Sequence, residues 1–78
     1  RFEPAHALAL ALDPSDVRLV YRMTAESREA AAWLRGESLP ADGGKGWYLI
    51  CVDGFGIGWG KLAGGIMKNH YPKGLRMT

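Results

Sequence analysis

Lys61, Lys68, Asn69, His70, Tyr71, Lys73 and Arg76 fall within sixteen residues of one another. Together these types suit recognition of an RNA. Ammonium and guanidinium groups meet phosphate, Asn and His reach base edges or ribose hydroxyls, and a Tyr ring offers a stacking face. Lys61, Lys68, Lys73 and Arg76 are the candidate phosphate contacts, with Asn69 and His70 as candidates for base or ribose. The same residues admit a plainer reading, in which Tyr71 packs into the core and Asn69 satisfies a turn.

The charge distribution singles out the same half of the chain. Residues 1–44 carry five basic and seven acidic side chains, a net −2, whereas residues 45–78 carry five basic and one acidic, a net +4. A basic half on a near-neutral domain is the footprint of a polyanion-binding face. Lysines also guard strand edges and keep a surface soluble, and charge alone does not separate the two explanations.

Other chemistry finds less support. The run GFGIGWG over residues 54–60 has spaced glycines, but it continues as a strand and meets no later acid, so it is no dinucleotide fingerprint. No Gly-Lys-Ser/Thr occurs, which removes a Walker loop. Cys51 and His70 would pair as nucleophile and base only if the fold joined them, and Cys51 lies in an apolar run expected to be buried. The carboxylates form no paired arrangement. One cysteine excludes an internal disulfide and a cysteine-based zinc site. His6, in the first turn of an expected helix, has no second metal-binding side chain near it. Neither a membrane-spanning run nor a secretory leader pattern occurs, which makes a cytoplasmic setting the default expectation. The chain opens at Arg1 rather than Met, as a piece of a longer protein would.

The elements that must position the basic cluster are readable in order. Pro4 starts a helix over residues 3–12, with Ala5, Leu8 and Leu12 on one face and Ala9 beside them. Asp13-Pro14-Ser15-Asp16 makes a turn. Residues 17–23 alternate as a strand with Val17, Leu19, Tyr21 and Met23 inward. Thr24 caps a second helix carrying Glu26 and Glu29 at its start, with Ala30, Trp33 and Leu34 as its buried stripe. Arg35 closes it and Gly36 stands where a terminating glycine belongs. Residues 37–46 read as a loop. Residues 47–52 form a strand apolar on both faces, hence central. Asp53-Gly54 predicts a tight hairpin. The return strand places Phe55, Ile57, Trp59 and Lys61 on one face and Gly56, Gly58 and Gly60 on the other, where another element must come close. Ala63-Gly64-Gly65 turns the chain into a third strand over residues 66–71, which Pro72 ends.

VDGFGIGWGK followed by MKNHYPKGLR, with WLRGESL upstream, resembles the C-terminal PUA-like domain of bacterial rRNA cytosine-C5 methyltransferases of the RsmF type, in the Nop2/Sun group. The matching positions are Gly58, Trp59, Gly60 and Lys61, then Lys68, Asn69, Tyr71, Pro72, Lys73, Gly74, Leu75 and Arg76. The resemblance implies an α+β domain, a PUA-like β-pseudobarrel of mixed, mainly antiparallel strands with two flanking helices, spanning residues 1–78. It also implies an accessory role gripping ribosomal RNA, the small-subunit rRNA in particular. S-adenosylmethionine and the two catalytic cysteines would belong to a separate Rossmann-like domain of the parent, leaving this piece without catalysis, cofactor or metal of its own. The alternative is a structural module docking on that catalytic domain through its glycine face.

Overall fold

The computed structural model describes residues 3–76; Arg1, Phe2, Met77 and Thr78, the ends of the expected span, lie outside the described residues. Its backbone is a curled, mixed sheet of five strands, β1 (Val20–Met23), β2 (Leu39–Pro40), β3 (Gly46–Val52), β4 (Phe55–Ala63) and β5 (Ile66–Asn69). The spatial order is β1-β3-β4-β5-β2. β1 runs parallel to β3 and every other pairing is antiparallel. Two helices, α1 (His6–Ala11) and α2 (Arg28–Leu34), cover opposite faces. This is the expected α+β pseudobarrel.

β3 is central for the reason its sequence gives. Tyr48 and Ile50 point to the α2 side, where Met23, Trp33, Leu62 and Met67 complete the larger core. Leu49 and Cys51 point to the α1 side and meet Ala9 and Trp59. Leu49, Ile50 and Cys51 are all at 0% exposure. Full burial of an aliphatic side chain stabilises by roughly 1.5–3 kcal/mol, so Leu49 and Ile50, with the small apolar Cys51 after them, make this strand the energetic centre. The hairpin after it takes the expected form: Asp53 and Gly54 both have positive φ, 51° and 86°. The Asp53 carboxylate also accepts the Ala25 N–H at 3.1 Å, which ties the hairpin to the approach to α2.

Four local expectations are corrected. Ser27, not Thr24, caps α2: its hydroxyl accepts the Ala30 N–H at 3.1 Å and donates to the Thr24 carbonyl at 2.7 Å. The stretch expected as loop contains β2, whose Leu39 and Pro40 pair with Met67 and Ile66 of β5. Two residues carry no period, and proline is tolerated on an edge strand, so nothing local announced it. The first helix buries Ala9, while Leu8 stays 46% exposed, because the helix backbone itself comes down onto the sheet and leaves room only for a methyl group.

The glycine strand is the fourth correction. A bulge opposite Ile50 and Cys51 breaks the alternation of β4, so its glycines do not share one bare face. Ile57 packs with the α2-side core and Trp59 with the α1-side core. A Cβ on Gly56 would strike the Ala9 carbonyl of α1, and one on Gly60 would lie 2.8 Å from the Trp33 ring of α2. One on Gly58 would meet the Tyr71 ring at 3.2 Å. The close approach inferred from the glycines is real, and the chain's own elements make it.

Gly56→Ala is therefore expected to destabilise the domain by about 1–3 kcal/mol, since backbone rather than a flexible side chain must give way. Gly44→Ala, with open space around its Cβ position, should change stability by less than about 0.5 kcal/mol. Urea unfolding midpoints of the two variants check the contrast.

Candidate nucleic-acid interface

Three strands place the basic residues in a row. Trp47 of β3 is the register partner of Lys61 on β4, and Lys61 is the register partner of Lys68 on β5. The three side chains thus stand side by side on the α1 face of the sheet. His70 extends the row. Its backbone N–H donates to the Trp59 carbonyl at 3.2 Å, and its ring meets the Trp47 indole edge-to-face with centroids 4.6 Å apart. The Lys61 ammonium lies over the same indole, 5.5 Å from the ring centroid. Glu3 approaches from the N-terminal segment, with a carboxylate oxygen 3.5 Å from His70 Nδ1.

The two lysines stand opposite each other in the ladder. Like charges directly opposite on neighbouring strands destabilise a sheet. Among the described residues neither Lys61 nor Lys68 forms an ion pair with a carboxylate. Edge protection does not account for Lys61, because β4 is flanked by β3 and β5. The arrangement is costly for folding alone and suited to an anion lying across the strands.

The other members of the sequence cluster are placed differently. Both amide hydrogens of Asn69 are taken, by the Trp33 and Glu37 carbonyls at 2.9 Å each, and its Oδ1 accepts the Tyr71 N–H at 2.8 Å. Its backbone N–H donates to the Ser38 hydroxyl at 3.1 Å. Asn69 thus knots the end of β5 to the end of α2 and to the tail. Tyr71 is half-buried, its ring edge-to-face with His6 at 5.7 Å. Arg76 donates through Nε to the Tyr71 carbonyl at 3.1 Å, and its side chain lies across Gly36, where any Cβ would collide with it. Gly36 also needs its positive φ of 96° to end α2, with its N–H on the Trp33 carbonyl and the Glu37 N–H on that of Ala32. Lys73 is exposed in a 3₁₀ turn, Lys73–Leu75, three residues beyond His70.

The nucleophile–base idea fails on geometry. Cys51 pairs with Gly56, whereas His70 lies beside Trp59, further along β4 and one strand over. Burial pushes the Cys51 thiol up, against a smaller opposing pull from Arg22, which keeps it neutral at physiological pH. The glycine run offers no phosphate cradle either, since Gly56, Gly58 and Gly60 are filled from within. Among the described residues no three His, Cys, Asp or Glu side chains gather as a metal site, and no helix is long and apolar enough to cross a membrane.

Trp47 is the residue that charge reasoning passed over. Its position opening an apolar strand marked it as core, and only the register with Lys61 reveals it beside the cations. A second surface lies at the opposite end of β3. There a cleft of about 310 Å³ runs between the end of α1 and the hairpin, lined by Leu10, Leu12, Pro14 and Phe55 among others. Five residues of extended strand, about 16 Å, separate it from Trp47.

Asn69→Ala should cost about 1–3 kcal/mol in urea unfolding, because two carbonyls lose their donor at the α2–β5 junction. Lys68→Ala, which removes one member of a repelling pair, should leave stability unchanged or raise it slightly.

No curated protein matches the chain at a significant level. A protein-family model described as the Methyltransferase RsmF PUA domain matches residues 20–77. That span runs from the first residue of β1 through every strand, α2 and the basic tail, and leaves α1 before it. With most of its length covered by this model, the chain belongs to the PUA-domain family of the RsmF methyltransferases.

Proposed function

We propose that this chain is the RNA-binding accessory domain of an rRNA cytosine-C5 methyltransferase, and that it holds rRNA in place for a catalytic domain elsewhere in the parent. One observation carries the reading: Lys61 and Lys68 stand in register on adjacent strands, without carboxylate partners among the described residues, next to a partly open indole. Family membership supplies the setting of a methyltransferase. Lys61, Lys68 and Lys73 contact phosphate in this reading, and His70 reaches phosphate or ribose. Arg76 contributes through its guanidinium nitrogens beyond Nε. Asn69 acts through the fold, since its amide hydrogens are spent. S-adenosylmethionine and the methyl transfer belong to the parent's catalytic domain, and small-subunit rRNA is the target class.

A docking role has its own footing, though not on the glycines. Leu10 and Phe55, which line the cleft at the hairpin end, are 60% and 75% exposed. Exposed apolar groups gathered there fit a contact with the parent's catalytic domain, on a surface separate from the lysine row.

The test is RNA binding across a salt series. Each phosphate contact on a single strand contributes a log–log slope of about −0.7, so Lys61→Ala with Lys68→Ala should flatten the slope by about 1.4 and weaken binding regardless of sequence. Arg28→Ala, at the start of α2 on the opposite face, should leave the slope unchanged. An unaltered slope in the double variant overturns the assignment. Glu3→Gln, which removes the carboxylate beside His70, should strengthen binding.

A further inference from the structure

The lysine row explains attraction to any polyanion, duplex or single strand. The indole beside it allows a narrower statement. We infer that Trp47 is a stacking platform for an unpaired nucleobase, so that the row takes single-stranded or looped-out RNA in preference to an A-form duplex. This rests on the RNA-binding reading above and specifies its ligand.

Four features of the site support it. Trp47 is the one tryptophan of the three that is not buried: Trp33 is at 0% and Trp59 at 8% exposure, whereas Trp47 is half-buried. It stands at the start of β3, at the margin of the α1-side core, against which it packs while staying only partly buried. Its neighbours across the strands are cations, Lys61 and then Lys68, spaced by the sheet so that phosphates flanking a stacked base meet ammonium groups. His70 braces the ring edge-to-face, which fixes the indole plane before any ligand arrives. A preorganised ring with flanking positive charge is what single-strand binding uses, and a continuous duplex has no free base to offer it.

The Lys61 ammonium over the ring does not oppose this. An exposed cation–π contact is among the weaker interactions, and the flexible lysine stem lets the ammonium leave the ring for an arriving phosphate. In the free domain the ammonium lies over the part of the ring that the α1-side core leaves open; on binding, base and phosphate divide the indole and the lysine between them. Glu3, with its carboxylate 3.5 Å from His70 Nδ1, gives way to the same phosphate chain.

Intrinsic fluorescence makes the test direct, because Trp47 is the accessible indole. The probes are an unlabelled oligoadenylate of about ten nucleotides and a self-complementary RNA duplex of matched phosphate number, each titrated at low salt. Oligoadenylate is expected to quench tryptophan emission at saturation, and the duplex to quench little. Trp47→Leu should abolish the quench and weaken oligoadenylate binding roughly 5- to 150-fold, the range for loss of one base–aromatic stack. Its duplex affinity should stay within about twofold, while Trp47→Phe retains most of the single-strand affinity. Circular dichroism of each variant establishes folding; if Trp47→Leu does not fold, the wild-type quench and Trp47→Phe decide. Absence of a quench at saturating oligoadenylate, or equal losses for strand and duplex, overturns the stacking assignment. If Trp47→Leu binds normally while the Lys61/Lys68 variant does not, stacking alone is overturned. If neither variant loses affinity, the RNA reading falls with it.

Discussion

The approach of two helices to one glycine-rich strand is the constraint on which the structure depends. β3 buries three consecutive residues on alternate faces, which works only if both faces are covered. In so short a chain, neither cover is thick. α1 reaches the sheet with its backbone, the Ala9 carbonyl against Gly56, and α2 reaches it with the Trp33 ring over Gly60. Side chains on β4 at those points would hold the helices off and open the core on both sides. The bulge opposite Ile50 and Cys51 is what lets one strand present glycine to two different helices. The indole of Trp59 then fastens α1 from the sheet side, donating to the Ala5 carbonyl at 2.9 Å. α1 is thus integral to the fold although the family model begins after it.

The second half of the shared pattern is mostly a clasp. Asn69, Tyr71 and Arg76 bind one another and the end of α2: the amide holds the Trp33 and Glu37 carbonyls, and the arginine stem lies across Gly36. A sequence motif read as a set of ligand contacts therefore divides by direction. Asn69 turns inward from β5, and its neighbours Lys68 and His70 turn to the α1 face beside Trp47. The alternation of a strand does this without further machinery. The clasp also supports the site, because it fixes the end of the strand that presents Lys68 and His70.

Much of this is legible in the sequence. The central position of β3 followed from apolar residues on both faces, the hairpin from Asp53-Gly54, and the end of α2 from Gly36. These are local signals with local causes. The two-residue β2 and the exposed Leu8 were not legible, since each is set by a partner distant in sequence, whereas the cap of α2 is a local bond to Ala30 that falls on Ser27 rather than Thr24. The glycines illustrate the boundary best. Their spacing said that something comes close, but the bulge that splits them between helices depends on pairing with β3. The candidate site shows the same split. Charge found Lys61 and Lys68, whereas the inward turn of Asn69 and the place of Trp47 beside the lysines depend on strand register, which no local pattern encodes.

The lysine pair shows how such a small domain can carry a binding face without a pocket. Holding two lysines as cross-strand partners works against folding, and a flexible loop would relax by letting them drift apart. Here they stand on strands whose register is fixed by the ladder from Gly60–Asn69 to Ala63–Ile66 and by the longer one between β3 and β4. The core on the opposite face secures β4 through Leu62 and β5 through Met67, the residues that alternate with the two lysines. Burial on one side therefore sustains repulsion on the other. A phosphate chain arriving at the row meets lysine stems already anchored on adjacent strands, so the backbone needs no ordering and only the Lys61 ammonium shifts, off the Trp47 ring. The net charge of the molecule, only +2, understates this, because what an anion meets is the local field of one sheet face.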